Sequence, residues 1–225
     1  MEIKKNNYWL LSKLCYVAIV FELIAAIHGS GLAEYGMDME SSNPIVKLSG
    51  ILAYFIPEWL TVIFCGFLWV FLLLALRKHY MTMNAKKTIP FITLICLGIV
   101  MYSFFLILAL ADKYNSIIIV RNDFLILIPF SIIEFIVGLK LKGGVKIKLK
   151  DEQETSWFAW IGLMMMIQAI VILIIVGIRR ITFYNDDLWW IPFLKAGAIG
   201  MYYGVLMAFF KQKNEKVKSI ENEIV

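Results

Sequence analysis

The sequence predicts an all-α integral membrane protein, a bundle of about six transmembrane helices with both termini on the cytoplasmic side. Three observations carry that expectation. First, 61% of the 225 residues are apolar and 17% charged, whereas a soluble domain is roughly 45–50% apolar and about a quarter charged. Second, six apolar stretches approach the ~20 residues that cross ~30 Å of hydrocarbon. Third, lysine and arginine are concentrated in alternate connectors, the pattern by which basic residues near helix ends are retained on the cytoplasmic side.

The six stretches run approximately over 9–28, 51–76, 89–111, 124–139, 157–178 and 188–210, within a single transmembrane domain, 1–210, followed by a charged cytoplasmic tail, 211–225. The second is long and contains Ile56-Pro57. Proline lacks an amide hydrogen and disfavours helix at the residue before it. Two readings therefore compete: one kinked helix from Ile51, which is preferred, or a short interfacial piece followed by a helix starting at Pro57. Lys4 and Lys5 ahead of an apolar run also resemble a secretory signal, but the run is long enough to span, contains Glu22 and has no A-x-A site close behind it.

Orientation follows from the connectors. The N-terminus with Lys4, Lys5 and Lys13, the loop with Arg77, Lys78, Lys86 and Lys87, the segment Lys140–Lys150 and the tail with Lys211, Lys213, Lys216 and Lys218 hold about 16 of the 22 basic residues. The other connectors are richer in Asp and Glu. An even number of crossings returns the chain to the cytoplasmic face of a cell membrane. In 140–150, Lys140, Lys142, Lys146, Lys148 and Lys150 alternate with Leu141, Val145, Ile147 and Leu149, which reads as an extended ribbon with one basic face. Such a face suits the anionic lipids of the inner leaflet. An ordinary cytoplasmic connector explains the same residues.

Candidate functional residues are the ionisable and polar groups at bilayer depth, which are costly unless they face the bundle interior. At 1.5 Å per residue, Glu22 lies roughly 9 Å deep and Lys195 about 10 Å, Glu58 at a similar level if its helix starts near Ile51, and Glu134 and Gln168 near ~15 Å. Matching depths predict a Lys195–Glu22 pair, with Glu58 or Glu134 as the alternative partner. A static salt bridge that fixes packing and a proton or cation pathway both account for such a set. On the last helix Ala196, Gly200 and Gly204 recur every four residues beside Gly197, a small-residue stripe that permits close helix approach, within the monomer or in a homo-oligomer.

Several classes are excluded by what is missing. With His28 and His79 as the two histidines there is no HExxH and no haem pair, and there is no P-loop or GxSxG. No metal, cofactor or nucleic acid is expected, and Cys15, Cys65 and Cys96 read as small apolar residues. Two functional readings follow. The first is a small solute or ion transporter, or channel-like protein, whose pathway is lined by Glu22, Glu58, Glu134, Gln168 and Lys195 and opens outward. The second is a non-transporting accessory, regulatory or immunity-type subunit that binds a partner protein. A lipid-modifying enzyme would rest only on Asn185-Asp186-Asp187 and the basic ribbon.

Overall fold

The computed structural model describes residues 7–29, 42–83, 89–110, 124–144, 152–181 and 189–224. Among these residues every regular element is a helix: α1 (Tyr8–Gly29), α2 (Pro44–Phe55), α3 (Glu58–Met83), α4 (Ile89–Leu110), α5 (Phe124–Gly144), α6 (Glu152–Ile181) and α7 (Ile191–Ile224). Within α1, α3, α4, α6 and α7 lie segments long and apolar enough to cross a membrane. The 21 residues of α5 are also of spanning length, although the helix carries Glu134, Lys140 and Lys142. The protein is an all-α membrane-type bundle.

Outward faces confirm the solvent. On α3, Ile63, Phe64, Phe67, Phe71 and Leu74 are exposed at the spacing of one helical face, while Cys65, Leu68, Trp69, Leu72, Leu73 and Leu76 are buried. An apolar stripe of that length is tolerated where the surrounding medium is itself apolar.

The preferred single kinked helix over 51–76 is not what forms. Asn43 caps α2 by accepting from the Ile45 amide at 3.0 Å, with Pro44 in the first turn, where a missing amide hydrogen costs nothing. At the other end Ile56 is extended, φ −125° and ψ 102°, the conformation imposed on a residue before proline. A new helix then starts, and the Pro57 carbonyl accepts from the Leu60 amide at 3.0 Å. One further expectation shifts. The strict alternation over 140–150 does not yield an extended ribbon at its start, because α5 continues through Lys140, Leu141 and Lys142 to Gly144; Lys146, Lys148 and Lys150 lie outside the described residues. The tail begun by Lys211 is the unbroken continuation of α7, whose 34 residues extend ~51 Å.

The six long helices close into a ring. α1 packs on α3, α3 on α4, α4 on α5, α5 on α6, α6 on α7, and α7 back on α1, with α2 against α1. Neighbours run antiparallel, as particular contacts show. Phe21 stacks on Phe64 and Tyr8 meets His79 across α1–α3. Tyr80 meets Phe91 across α3–α4, and Phe158 meets Phe209 across α6–α7. Gly29 abuts Pro192 at one end of α1–α7 while Tyr8 stacks on Phe210 at the other. The start of α1 and the point where α7 leaves the bundle therefore share one end, hereafter the lysine-rich end. The opposite end carries the starts of α3, α5 and α7.

Candidate functional site

Glycines set how near the helices come and so where the polar side chains lie. Gly138 of α5 and Gly162 of α6 press backbone to backbone: a Cβ on Gly138 would sit 2.6 Å from the Gly162 carbonyl oxygen, and one on Gly162 would meet the Gly138 carbonyl. Gly98 of α4 accepts the edge of the Trp69 indole, and Gly66 of α3 accepts the Tyr102 ring, whose Cγ would lie 2.8 Å from an added Cβ. Trp69 in turn packs against Tyr102 and Phe130, with centroids at 6.0 and 5.5 Å.

These registers bring one polar group from each long helix to within about one turn, ~5 Å, of a common level. The groups are Glu22 of α1, Cys65 of α3, Tyr102 of α4, Glu134 of α5, Gln168 of α6 and Lys195 of α7. Glu22, Glu134 and Gln168 are buried, at 4%, 1% and 2% exposure. The layer is electrostatically connected. The Cys65 thiol donates to the Glu22 carboxylate; the Lys195 charge acts on Glu22, Glu134 and Cys65; Tyr102 feels both carboxylates. About two turns from Lys195 toward the lysine-rich end, Tyr202 and Tyr203 couple to Glu134 and Glu22 respectively.

The layer is under-satisfied. Among the described residues, Glu134 Oε2, Gln168 Oε1 and the Tyr203 hydroxyl are buried without a hydrogen-bond partner, as are Ser131 Oγ one turn from Glu134 and Thr61 Oγ1 one turn from Cys65. Buried polar atoms are ordinarily paired, and unpaired ones cost ~1–3 kcal/mol each. Five such atoms lie along about three turns of the bundle interior.

Lys195 lies among the predicted carboxylates without closing a salt bridge to any of them among the described residues. The Gly29–Pro192 and Tyr8–Phe210 contacts place Glu22 level with residues 196–199 of α7, so the lysine sits up to one turn nearer the opposite end. Depth counted from helix ends missed that offset. Glu58 does not join the layer. Because the helix restarts after Pro57, Glu58 is the first residue of α3 and exposed, where its charge favours the positive end of the helix dipole.

The small-residue stripe also behaves differently from an internal packing face. Ala196 is buried, but a Cβ added at Gly197, Gly200 or Gly204 meets nothing within 4 Å among the described residues. These three glycines face out of the bundle because the buried side of α7 is filled by Ala198, Ile199, Tyr202, Tyr203 and Leu206. The Asn185-Asp186-Asp187 cluster lies outside the described residues, and no group of three His, Cys, Asp or Glu side chains able to hold a metal occurs among the described ones.

A feature that residue-by-residue depth did not reveal closes the lysine-rich end. His79 stacks on Phe158 at 5.9 Å and meets Phe209 edge-on at 5.2 Å; Tyr80 packs on Phe91 and Phe158 at 5.2 and 5.7 Å. Tyr8 lies against His79 and Phe210, with its hydroxyl 3.4 Å from His79 Nδ1. Five helices contribute to this aromatic plug. Each residue reads as ordinary core alone, so only their convergence identifies it. Compared with known proteins, the chain matches no family model, no curated protein and no solved structure.

Proposed function

We propose that the chain is a small solute or ion transporter, or a channel-like protein, of the cell membrane, with both termini in the cytoplasm. Its pathway enters at the end opposite the lysine-rich one, reaches the Glu22–Glu134–Gln168–Lys195 layer, and is closed beyond it by the aromatic plug. The observation that supports this best is the closed ring of six long helices that turns one polar group per helix inward and leaves five buried polar atoms unpaired. A purely structural core would be more stable with those atoms satisfied or replaced by apolar groups. The lysine-rich end faces the anionic inner leaflet, with Lys140 and Lys142 among the groups that would contact its lipids.

The test is flux in vesicles reconstituted with purified protein. Glu22→Gln and Lys195→Met are expected to reduce flux at least ~10-fold, the effect of ~1.4 kcal/mol. Flux unchanged in both, for every solute and ion transported, would remove the pathway.

The non-transporting subunit is retained as a second reading because of the outward Gly197–Gly200–Gly204 face. A helix whose glycines meet nothing among the described residues allows another protein's helix to approach closely. Recovery of a stoichiometric partner in mild detergent, with no flux, would favour it.

A further inference from the structure

The charges of the polar layer do not balance. Glu22 and Glu134 contribute two carboxylates, and among the described residues the cationic side chain electrostatically coupled to them is Lys195. The remaining members are Cys65 of α3, Tyr102 of α4, Gln168 of α6, and Tyr202 and Tyr203 of α7, with Cys15 of α1 beside Tyr202. None of these is a cation. The two histidines do not help: among the described residues no carboxylate acts on His28, and the charge acting on His79 is that of Lys213. With both acids ionised the interior would hold a net negative charge, which a low-dielectric site does not sustain without a partner.

The unpaired atoms have the matching chemistry. Glu134 Oε2 and Gln168 Oε1 are acceptors without donors, and the Tyr203 hydroxyl, fully buried and coupled to Tyr102 and Glu22, has no partner either. Oxygen acceptors around a surplus negative charge are what a small hard cation or a proton requires.

We infer that the layer holds one exchangeable monovalent cation, an alkali-metal ion or a proton, with Glu134 as its principal holder. Lys195 acts on both acids, but Glu22 also accepts from the Cys65 thiol, so Glu134, the acid with an unpartnered oxygen, takes the added charge. The inference deepens the transport reading by naming the species that the layer binds, but binding is measured without flux.

Full-length protein in detergent provides the test, in two arms. Thermal unfolding is followed as NaCl, KCl or LiCl replaces choline chloride at constant ionic strength, which detects an alkali ion. A pH-sensitive dye follows proton uptake after small acid pulses, which detects a proton. One arm is expected to report one charge bound per chain beyond the protons taken up by the other carboxylates and the two histidines, which titrate in every variant. Glu134→Gln should abolish it, and Tyr203→Phe should weaken it at least ~10-fold, or ~1.4 kcal/mol. No uptake in either arm overturns the inference, as does uptake unaltered in Glu134→Gln. If that variant does not fold, unaltered uptake in Tyr203→Phe overturns it. Uptake without flux would dismiss transport and leave the cation site standing, whereas flux without uptake would do the reverse.

Discussion

Gly138 and Gly162 touch through their backbones, each occupying the space that a Cβ on the other would need. One turn along α5 from this contact lies Glu134, and less than two turns along α6 lies Gln168, so the approach of two glycines fixes the spacing of two buried polar groups. Gly162→Val should therefore destabilise the bundle by ~1–3 kcal/mol, the usual cost of overpacking, and lower the unfolding temperature in detergent. The obstacle is a carbonyl oxygen of another helix, which cannot rotate away. An unchanged unfolding temperature would mean that α5 and α6 are further apart.

Gly197 and Gly200 predict the opposite behaviour. An added methyl group meets open space, and alanine in a helix interior is favoured over glycine by ~0.5–1 kcal/mol. Gly197→Ala and Gly200→Ala should leave the unfolding temperature unchanged or raise it. A clear fall would restore the internal packing role that the sequence spacing had led us to expect.

Cys65 carries a donor for Glu22. In Cys65→Val the carboxylate loses that donor while buried volume is roughly kept, which should cost ~1–3 kcal/mol. Cys65→Ser retains a donor and should be the milder change in both unfolding temperature and flux. Equal behaviour of the two variants would show that the thiol acts by packing alone.

The aromatic plug is expected to act as a seal. Phe158 touches both His79 and Tyr80, so Phe158→Ala removes a ring at the meeting point of three helices. It should cost ~3–5 kcal/mol in stability and, where folded protein is recovered, raise passive ion leak in reconstituted vesicles. Loss of stability without leak would make the cluster a packing feature of the core.

Much of the bundle was legible in the sequence because hydropathy and length are local properties. The expected start of the first helix differs from the observed one by a single residue, and Glu22, Glu134 and Gln168 are buried as rare polar groups in apolar helices ought to be. What failed depended on relations between helices. Ile56-Pro57 signalled a break, but whether a kink or a restart follows depends on how α2 docks on α1, where Ser49 Oγ donates to the His28 carbonyl at 3.3 Å. Misjudging that break also misplaced Glu58. The glycines of α7 were read by spacing alone, yet spacing does not say which side of a helix faces its neighbours. Trp69 against Gly98 and Phe158 against His79 pair residues far apart in the chain, and no periodicity within one helix encodes them.

The central claim is that the layer around Glu22 and Glu134 is reached from the end opposite the lysine-rich one. It is tested most directly by placing a single cysteine at Ser131, one turn from Glu134, in a chain whose three native cysteines have been replaced, and adding a membrane-impermeant thiol reagent to either side of oriented vesicles. The account predicts modification from the side opposite the Lys211 tail and protection from the tail side. Labelling from the tail side alone, or from neither side in protein shown to transport, would contradict it.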